Sequence, residues 1–472
     1  MENGPVVAIS ITILMALLLV GVSVAISLAT SGIIGLLVLS GLDITNSVIA
    51  GTSYTAVAKG SLIVVPMFVL MGMLTLHSGI AEQLFAIAGK LLKRIPGSLG
   101  MATVFASAGF GAISGSSLAT VATMGRTCIT EMMRHGYQRS FASATVAASG
   151  TLAVLIPPSI ILVLYGVITG ESIGALLIAG IVPGVLSALM LAGSIGLRAW
   201  RSPTLVNHDN RHELALATAE PAYASSSGAR ATDQAVSRDD WQDDVGVRLT
   251  FGSVTRAVLG VVVLFTVVIG GIYSGVFTPT ESAAIGAFAA FVLICTQYAS
   301  RPRLLRHQLV IALKETASLN SMIFLILVGA GIFSFFLVIA GVPTAISEFV
   351  VELPLPPTLI VILLLVVLIP SGMFLDSISL LVITVPLVYQ PIMDLGFNGI
   401  WLGILVVKLI ELGMITPPVG MNAYVAAGTT PGLEVEEVFK GLIPFYVADV
   451  AIVVAIFMIP ALVTWLPNLS AA

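Results

Sequence analysis

The sequence predicts an all-α protein that crosses a membrane many times and is built from two related halves. Only 9% of its 472 residues are charged and 57% are hydrophobic, whereas soluble domains carry about 25% charged residues. Apolar stretches of about 20 residues, the length that crosses a bilayer, recur along the chain, and landmarks of the first half return in the second. Lipid must therefore be the solvent for most of the surface, and the net charge of −4 gives no basis for binding nucleic acid.

Plain apolar stretches account for most of the predicted crossings. They are residues 6–28, 30–58, 61–88, 172–197, 256–276, 281–298, 317–340, 358–369 and 442–466. No Lys or Arg precedes the first stretch, so we expect a retained helix rather than a cleaved signal peptide. Together with two further stretches that a Pro-Pro pair interrupts, they predict roughly eleven or twelve spans.

The four irregular stretches do not resemble plain lipid-facing helices. Residues 139–168 and 399–427 are long and apolar, but a Pro-Pro pair interrupts each of them. Residues 105–125 and 370–390 are rich in Gly, Ser and Pro. We expect the first two to be broken crossing helices and the last two to be re-entrant hairpins that reach halfway into the membrane.

Apart from Lys59, the basic loop residues fall into alternate loops, which predicts the orientation of the chain. The basic loops contain Lys90, Lys93, Arg94, Arg126, Arg134, Arg139, Arg198, Arg201, Arg301, Arg303, Arg306, Lys314 and Lys440. The intervening loops contain Glu171, Glu281, Glu348, Glu352 and Asp394 and lack basic residues. Basic loops face the cytoplasm, so the first hairpin is expected to open to the cytoplasm and the second to the outside.

A polar segment divides the chain into a first half (1–201), a cytoplasmic linker (202–250) and a second half (251–472). The segment lacks apolar periodicity, which is typical of a disordered linker. His208 and His212 lie four residues apart in it, but no further ligand accompanies them, so they do not predict a metal site. Cys128 and Cys295 lie in separate apolar segments and predict neither a disulfide nor a metal site.

Four landmarks repeat at nearly one offset, which indicates an internal duplication. The Pro-Pro pairs are 260 residues apart (417 − 157), the hairpin glycines 261 (372 − 111), two prolines 261 (444 − 183) and two turn glycines 262 (341 − 79). The alternation of basic loops places the two copies in opposite orientations. Inverted repeats with paired broken helices are the sequence sign of a secondary transporter.

Each half therefore pairs a hairpin with a break, and these four segments are where the chemistry is expected. A proline within a helix frees backbone carbonyls, and carbonyls together with Ser or Thr hydroxyls suit a hard cation such as Na⁺. Half-helix N-termini offer N–H groups to a carboxylate. The predicted sodium-binding residues are Ser114, Gly115, Ser116, Ser117 and Pro157 in the first half and Gly372, Asp376, Ser377, Thr416 and Pro417 in the second. The predicted substrate-binding residues are Ser159, Asp376, Gly420 and Asn422. The alternative is that Gly and Ser only allow close helix packing.

Ionisable residues inside the spans are functional candidates because burying them in a membrane is costly. Asp376 is the strongest candidate, since it lies inside a hairpin. Lys408 and Glu411 are three residues apart on one helix, and we interpret them as neutralising each other. Glu281 follows Thr278 at a helix start and is expected to cap it, and His77 is interpreted as a packed histidine.

The sequence contains no catalytic motif: no P-loop, no G-x-S-x-G, no HExxH and no Cys/His cluster. We therefore expect no enzyme activity and no cofactor, with Na⁺ as the only metal ion. If transport is active, an ion gradient must drive it.

At these segments the chain resembles the large permease subunit of TRAP transporters (tripartite ATP-independent periplasmic, DctM type). The similar stretches are 111–125, 150–159, 278–284, 372–377 and 411–422. The resemblance implies an elevator carrier of the ion-transporter superfamily in the bacterial cytoplasmic membrane, with sodium-coupled uptake of an organic acid such as a C4-dicarboxylate or sialic acid. It also implies two partners: a small four-helix membrane subunit and a periplasmic substrate-binding protein.

Three other functions compete with this interpretation. A stand-alone sodium/anion symporter of the same superfamily would share the repeats and the broken helices but would need no binding protein. A channel would need a continuous polar lining, whereas only half-membrane polar segments are present. A membrane enzyme lacks a nucleophile or metal set. The sequence does not identify the cargo.

Overall fold

The computed structural model describes residues 3–92, 94–207 and 259–471, and this part of the chain is helical and contains no β-strand. The α-helices of the first half are Gly4–Leu19, Val24–Thr55, Val64–Leu76, Ile80–Leu92, Ser98–Ser114, Ser117–Met124, Thr130–Arg134, Arg139–Gly150, Leu152–Leu155, Ile160–Thr169, Ile173–Ala179 and Ile181–Arg201. Those of the second half are Leu259–Tyr273, Pro279–Gln297, Pro302–Ile339, Val342–Glu352, Pro357–Val366, Leu368–Gly372, Ser377–Asp394, Gly399–Ile415, Met421–Gly428, Val435–Met458 and Ala461–Ala471. The predicted all-α fold class is confirmed.

The outer surface is apolar, as a lipid-facing protein requires. Leu19, Trp200, Phe288 and Val447 each expose more than two-thirds of their side-chain surface. Six described helices are long and apolar enough to cross a membrane, and a bent pair makes a seventh. This number is below the eleven or twelve spans expected, because turns divide several predicted spans into apolar helices of 10–17 residues.

The first predicted span shows how such a division arises. The sequence predicts one helix over residues 6–28, but the structure ends it at Leu19 and starts the next helix at Val24. Gly21 lies between them with φ 86°, a left-handed conformation that glycine adopts without strain. The predicted stretch 30–58 belongs to the helix Val24–Thr55, which kinks at Gly41.

The predicted linker is structured at its start. Pro203–Leu205 forms a 3₁₀ turn, and the carbonyl of Leu205 accepts a hydrogen bond from the backbone N–H of Gln138 at 2.8 Å. The rest of the linker, with His208 and His212, lies outside the described residues. The division of the chain into 1–201, 202–250 and 251–472 stays a prediction.

Two long helices, Val24–Thr55 and Pro302–Ile339, pack closely along each other. A Cβ atom added to Gly32 would lie 2.8 Å from the Cα atom of Phe333, and one added to Gly329 would overlap the carbonyl of Ala25. Glycine is needed at these crossings because the backbones touch. This long-helix pair stands beside the elements that carry the candidate site.

The same order of elements recurs in both halves. A hairpin (Ser98–Ser114 with Ser117–Met124) precedes a broken helix (Arg139–Leu155 with Ile160–Thr169), which bends by 43°. In the second half, a hairpin (Pro357–Gly372 with Ser377–Asp394) precedes a broken helix (Gly399–Ile415 with Met421–Gly428). The four irregular stretches therefore have the predicted local form of turn and break. Below they are named the first and second hairpins and the first and second broken helices.

Candidate functional site

The tip of the first hairpin lies against the break of the first broken helix. Gly115 ends one arm with φ 61°, and the Ser116 hydroxyl caps the next arm by accepting from the N–H of Ala119 at 3.4 Å. A Cβ atom on Gly115 would lie 3.2 Å from the carbonyl oxygen of Pro158. Glycine therefore lets the tip approach a carbonyl at the break.

The first break itself resolves into a short extended segment and a new helix start. Pro157 and Pro158 follow Leu152–Leu155, and the peptide bond between them is cis. Ser159 caps the following helix, because its hydroxyl accepts from the N–H of Leu162 at 3.3 Å. The buried Ser114 hydroxyl lies 3.1 Å from that of Thr120, so it is held within the hairpin.

The tip of the second hairpin is organised by Asp376. Its carboxylate caps the helix Ser377–Asp394 by accepting from the N–H groups of Ile378 and Ser379, both at 3.1 Å, and from the Ser379 hydroxyl. These contacts are those of an N-cap residue. The predicted sodium or substrate role of Asp376 stays a prediction.

The second break lies against the second hairpin through two glycines. A Cβ atom on Gly372 would lie 3.0 Å from the carbonyl oxygen of Ile410, and one on Gly413 would lie 2.8 Å from the Cα atom of Gly372. The Thr416 hydroxyl donates to the carbonyl of Leu412 at 2.6 Å, just before the cis bond between Pro417 and Pro418. Gly420, with φ 54°, then leads into Met421–Gly428.

Glu411 is the residue at which both hairpins meet. Its Oε1 atom accepts from the hydroxyl of Ser377 at 2.8 Å and from that of Ser117 at 3.3 Å. Glu411 is 1% exposed. The structure therefore brings Ser117 and Ser377, predicted for separate sodium sites, onto one carboxylate oxygen.

The interpretation of Lys408 and Glu411 as a neutralising pair is wrong. The ammonium of Lys408 forms an ion pair with Asp449 Oδ1 at 2.6 Å, on the helix Val435–Met458. Both residues are at most 1% exposed. The physical reason is that a helix neighbouring in space offers a carboxylate in direct reach. Asp449 was missed, although an acidic residue inside a predicted span is itself a signal.

Two other interpretations concern helix ends. The capping role of Glu281 is confirmed: its carboxylate accepts from the N–H of Thr278 at 2.8 Å, and the Thr278 hydroxyl accepts from the N–H of Glu281. His77 is more than a packed histidine, since its Nε2 atom lies 2.8 Å from Glu315 Oε2.

Several buried polar atoms near the second break lack a hydrogen-bond partner among the described residues. They are Glu411 Oε2 and both side-chain polar atoms of Asn422, a residue with no exposed surface. Buried polar groups are nearly always paired. The donor set of the two tips and breaks, which consists of hydroxyls, carbonyls and the carboxylates of Asp376 and Glu411, fits a hard monovalent cation.

Two helical hairpins facing two broken helices, inside an all-helical fold with a lipid-facing surface, define a membrane transport protein. The sequence profile described as "Tripartite ATP-independent periplasmic transporter, DctM component" matches residues 11–462. The chain belongs to this family, and it is a multi-pass inner-membrane protein and not an enzyme.

Individual relatives match over nearly the whole chain. The C4-dicarboxylate TRAP transporter large permease protein DctM of Rhodobacter capsulatus is 31% identical over 97% of this chain and 98% of its own length. The sialic acid TRAP transporter large permease protein SiaM of Vibrio cholerae is 28% identical over 87% of this chain and 86% of its own. The solved Alcanivorax borkumensis YdaH transporter shares the fold, with a TM-score of 0.54 at 13% identity and 90% coverage of both chains. The family works with a small membrane subunit and a periplasmic binding protein.

Proposed function

We propose that this chain is the large membrane subunit of a sodium-coupled importer, which takes up an organic acid delivered by a periplasmic binding protein. The observation that carries the proposal is the meeting of both hairpin tips on Glu411, beside the second broken helix. Paired breaks at a repeat interface are where secondary transporters bind substrate and coupling ion. Family membership supports the two partner subunits.

The proposed sodium sites lie one at each hairpin tip. In the first, hydroxyls at positions 114, 116 and 117 and the backbone around Gly115 and Pro157 surround the cation. In the second, the ligands come from the backbone of Gly372 and Pro417, the Thr416 hydroxyl and the tip residues Asp376 and Ser377. The approach of Gly115 to the Pro158 carbonyl, and of Gly372 to the Ile410 carbonyl, supports this placement.

The proposed cargo carries a carboxylate. Two half-helices begin immediately after the breaks, and helix N-termini favour anions. Ser159 and Asn422 stand at these starts, with Gly420 before the second, and the amide of Asn422 has no described partner. On this proposal, Asn422→Leu abolishes uptake but leaves the protein as stable as before, since it removes an unsatisfied buried amide.

An elevator movement is the proposed mechanism. The long helix Pro302–Ile339 faces the first broken helix and the second hairpin across a cavity of about 180 Å³. The cavity wall is largely apolar, with Lys59 reaching the carbonyl of Val167 at 3.5 Å. Surfaces with few directional bonds can slide past each other.

A cross-link between the two surfaces tests this movement. Cysteines would be placed at Ala330 and Val382 in a chain whose Cys128 and Cys295 are replaced. A reagent that joins the two thiols through disulfide bonds should block uptake, and reduction of those bonds should restore it.

Uptake into proteoliposomes tests the proposal directly. The chain would be reconstituted with its small subunit and binding protein and offered labelled dicarboxylates, sialic acid and a sulfonate, with and without an inward sodium gradient. Uptake that requires both partners and sodium supports the proposal. Uptake by this chain alone would favour the stand-alone symporter instead.

The sodium ligands are tested by one variant that keeps its helix cap and by one that removes a cap worth about 1 kcal/mol. Asn caps helices as well as Asp does, so Asp376→Asn removes the charge while keeping the cap. Ser116→Ala removes a hydroxyl, with Ser321→Ala and Asp43→Asn as controls at exposed positions. Both site variants should raise the sodium concentration needed for half-maximal uptake. Unchanged sodium dependence in both would remove this site assignment.

A further inference from the structure

One carboxylate oxygen of Glu411 accepts hydrogen bonds from the hairpins of both halves of the protein. Ser117 begins one arm of the first hairpin, and Ser377 begins one arm of the second. Both hydroxyls donate to Oε1 of Glu411, at 3.3 and 2.8 Å. The carboxylate therefore lies at the start of two helices, where the backbone dipoles favour a negative charge.

The basic residue nearest to Glu411 along its helix forms its direct ion pair with another carboxylate. Lys408, one turn before it on the same helix, is already neutralised by Asp449 at 2.6 Å. Among the described residues, no Lys, Arg or His side chain forms an ion pair with Glu411. A buried carboxylate at membrane depth is costly unless something compensates it.

The second carboxylate oxygen of Glu411, Oε2, is the atom that lacks a compensating contact. Oε2 is buried and has no hydrogen-bond partner among the described residues, although Oε1 has two. At the equivalent place in the first half, the offset of 260 gives Thr151 (411 − 260), which is uncharged. Any ligand of this oxygen therefore binds once per chain, at the junction, and not once per repeat.

We propose that Oε2 of Glu411 binds a monovalent cation at the junction of the two hairpin tips, in addition to the ions at the individual tips. One uncompensated carboxylate balances one positive charge, so a divalent ion would leave a net buried charge. That the cation is sodium rests on the function proposed above. Because Oε1 holds both tips, the cation stabilises the arrangement in which both hairpins contact the second broken helix.

Sodium-dependent stability of the purified chain tests this site without relying on transport. The melting temperature would be measured from low to high NaCl, with choline chloride keeping the ionic strength constant. The stabilisation gained per tenfold rise in ligand measures how many ions the folded protein takes up. Glu411→Gln keeps the shape and the acceptor but removes the charge, and Glu348→Gln removes an exposed carboxylate as the matched control.

The sodium slope is the stabilisation gained per tenfold rise in NaCl concentration. We expect a smaller sodium slope in Glu411→Gln and an unchanged one in Glu348→Gln. Loss of one ion reduces the slope by about one third if three ions bind, or by about half if two bind. An unchanged slope in Glu411→Gln overturns this site alone. A wild-type protein with no sodium slope would overturn both the site and the proposed sodium coupling.

A second measurement applies if Glu411→Gln does not fold. Cryo-EM maps of the wild-type protein in NaCl and in choline chloride would be compared at Oε2. Density at direct coordination distance in sodium only supports the proposal. Density in both salts, or in neither, overturns it, since a water would not depend on sodium.

Discussion

The buried ion pair between Lys408 and Asp449 allows a stability prediction that follows from the arrangement of three charges. The two side chains are 1% and 0% exposed and 2.6 Å apart. Glu411 lies one turn away from Lys408 on the same helix. Removing one member of a buried pair costs about 3–5 kcal/mol, because it leaves an uncompensated charge.

The two single variants should lose different amounts of unfolding free energy. Lys408→Met leaves two buried carboxylates, Asp449 and Glu411, and should cost the full amount of about 3–5 kcal/mol. Asp449→Leu leaves Lys408 beside Glu411, two charges of opposite sign, and should cost less. The double variant Lys408→Met/Asp449→Leu leaves no unpaired charge at this pair and should return close to wild-type stability.

Reversible unfolding of the purified protein in mixed micelles would give the free energies for a double-mutant cycle. The expected coupling is about 2 kcal/mol or more, with Lys408→Met the least stable of the four proteins. If both single variants lose the same unfolding free energy, then the charge of Glu411 does not compensate Lys408 when Asp449 is removed. A double variant as unstable as Lys408→Met would show that packing, and not the ion pair, sets the stability.

Two further predictions concern backbone approach and capping. Gly111→Ala should destabilise the protein by about 1–3 kcal/mol, because the new Cβ atom would lie 2.5 Å from the Cα atom of Ala153. Gly193→Ala, with nothing within 4 Å, is the control and should be neutral or stabilising; equal effects on melting temperature would refute the close approach. Thr278→Ala should cost about 1 kcal/mol by removing the capping hydroxyl, and Thr278→Ser should restore it. A melting temperature unchanged in Thr278→Ala would mean that this cap does not limit stability.

Local signals in the sequence were sufficient for the hairpins and breaks. A Pro-Pro pair interrupts a helix because proline lacks an N–H and clashes with the preceding turn, wherever the chain lies in space. Glycine was predicted at two sodium sites (115 and 372) and served as a repeat landmark at 111 and 372, and the structure shows that all three allow close approach of the backbone. These features depend on neighbouring residues, so periodicity and spacing can predict them.

The charge pairing depends on long-range packing and could not be predicted in the same way. Lys408 and Glu411 are three residues apart, and spacing along one helix suggested that they pair. Asp449 is 41 residues from Lys408 in sequence, and only the packing of two helices brings it into reach. The meeting of Ser117 with Glu411 spans 294 residues. A search for every acidic residue inside a predicted span would have found Asp449, but not its partner.

Comparison of the two halves shows which features both copies share and which occur in the second copy alone. The close approach of Gly111 to Ala153 in the first half has its counterpart in that of Gly372 to Gly413 in the second. With the same offsets, the charged positions of the second half map onto uncharged residues of the first, which are Ala148 (408 − 260), Thr151 (411 − 260) and Ala188 (449 − 261).

The first half forms the same hairpin and the same break with uncharged residues at these three positions, so neither element requires charges there to fold. Buried charges are costly, so the three charges at these positions of the second half indicate a role that the duplicated fold does not supply. The Lys408–Asp449 pair fixes the second broken helix to the helix Val435–Met458, and Glu411 joins it to both hairpin tips. The second broken helix thus contacts both hairpin tips through a single carboxylate.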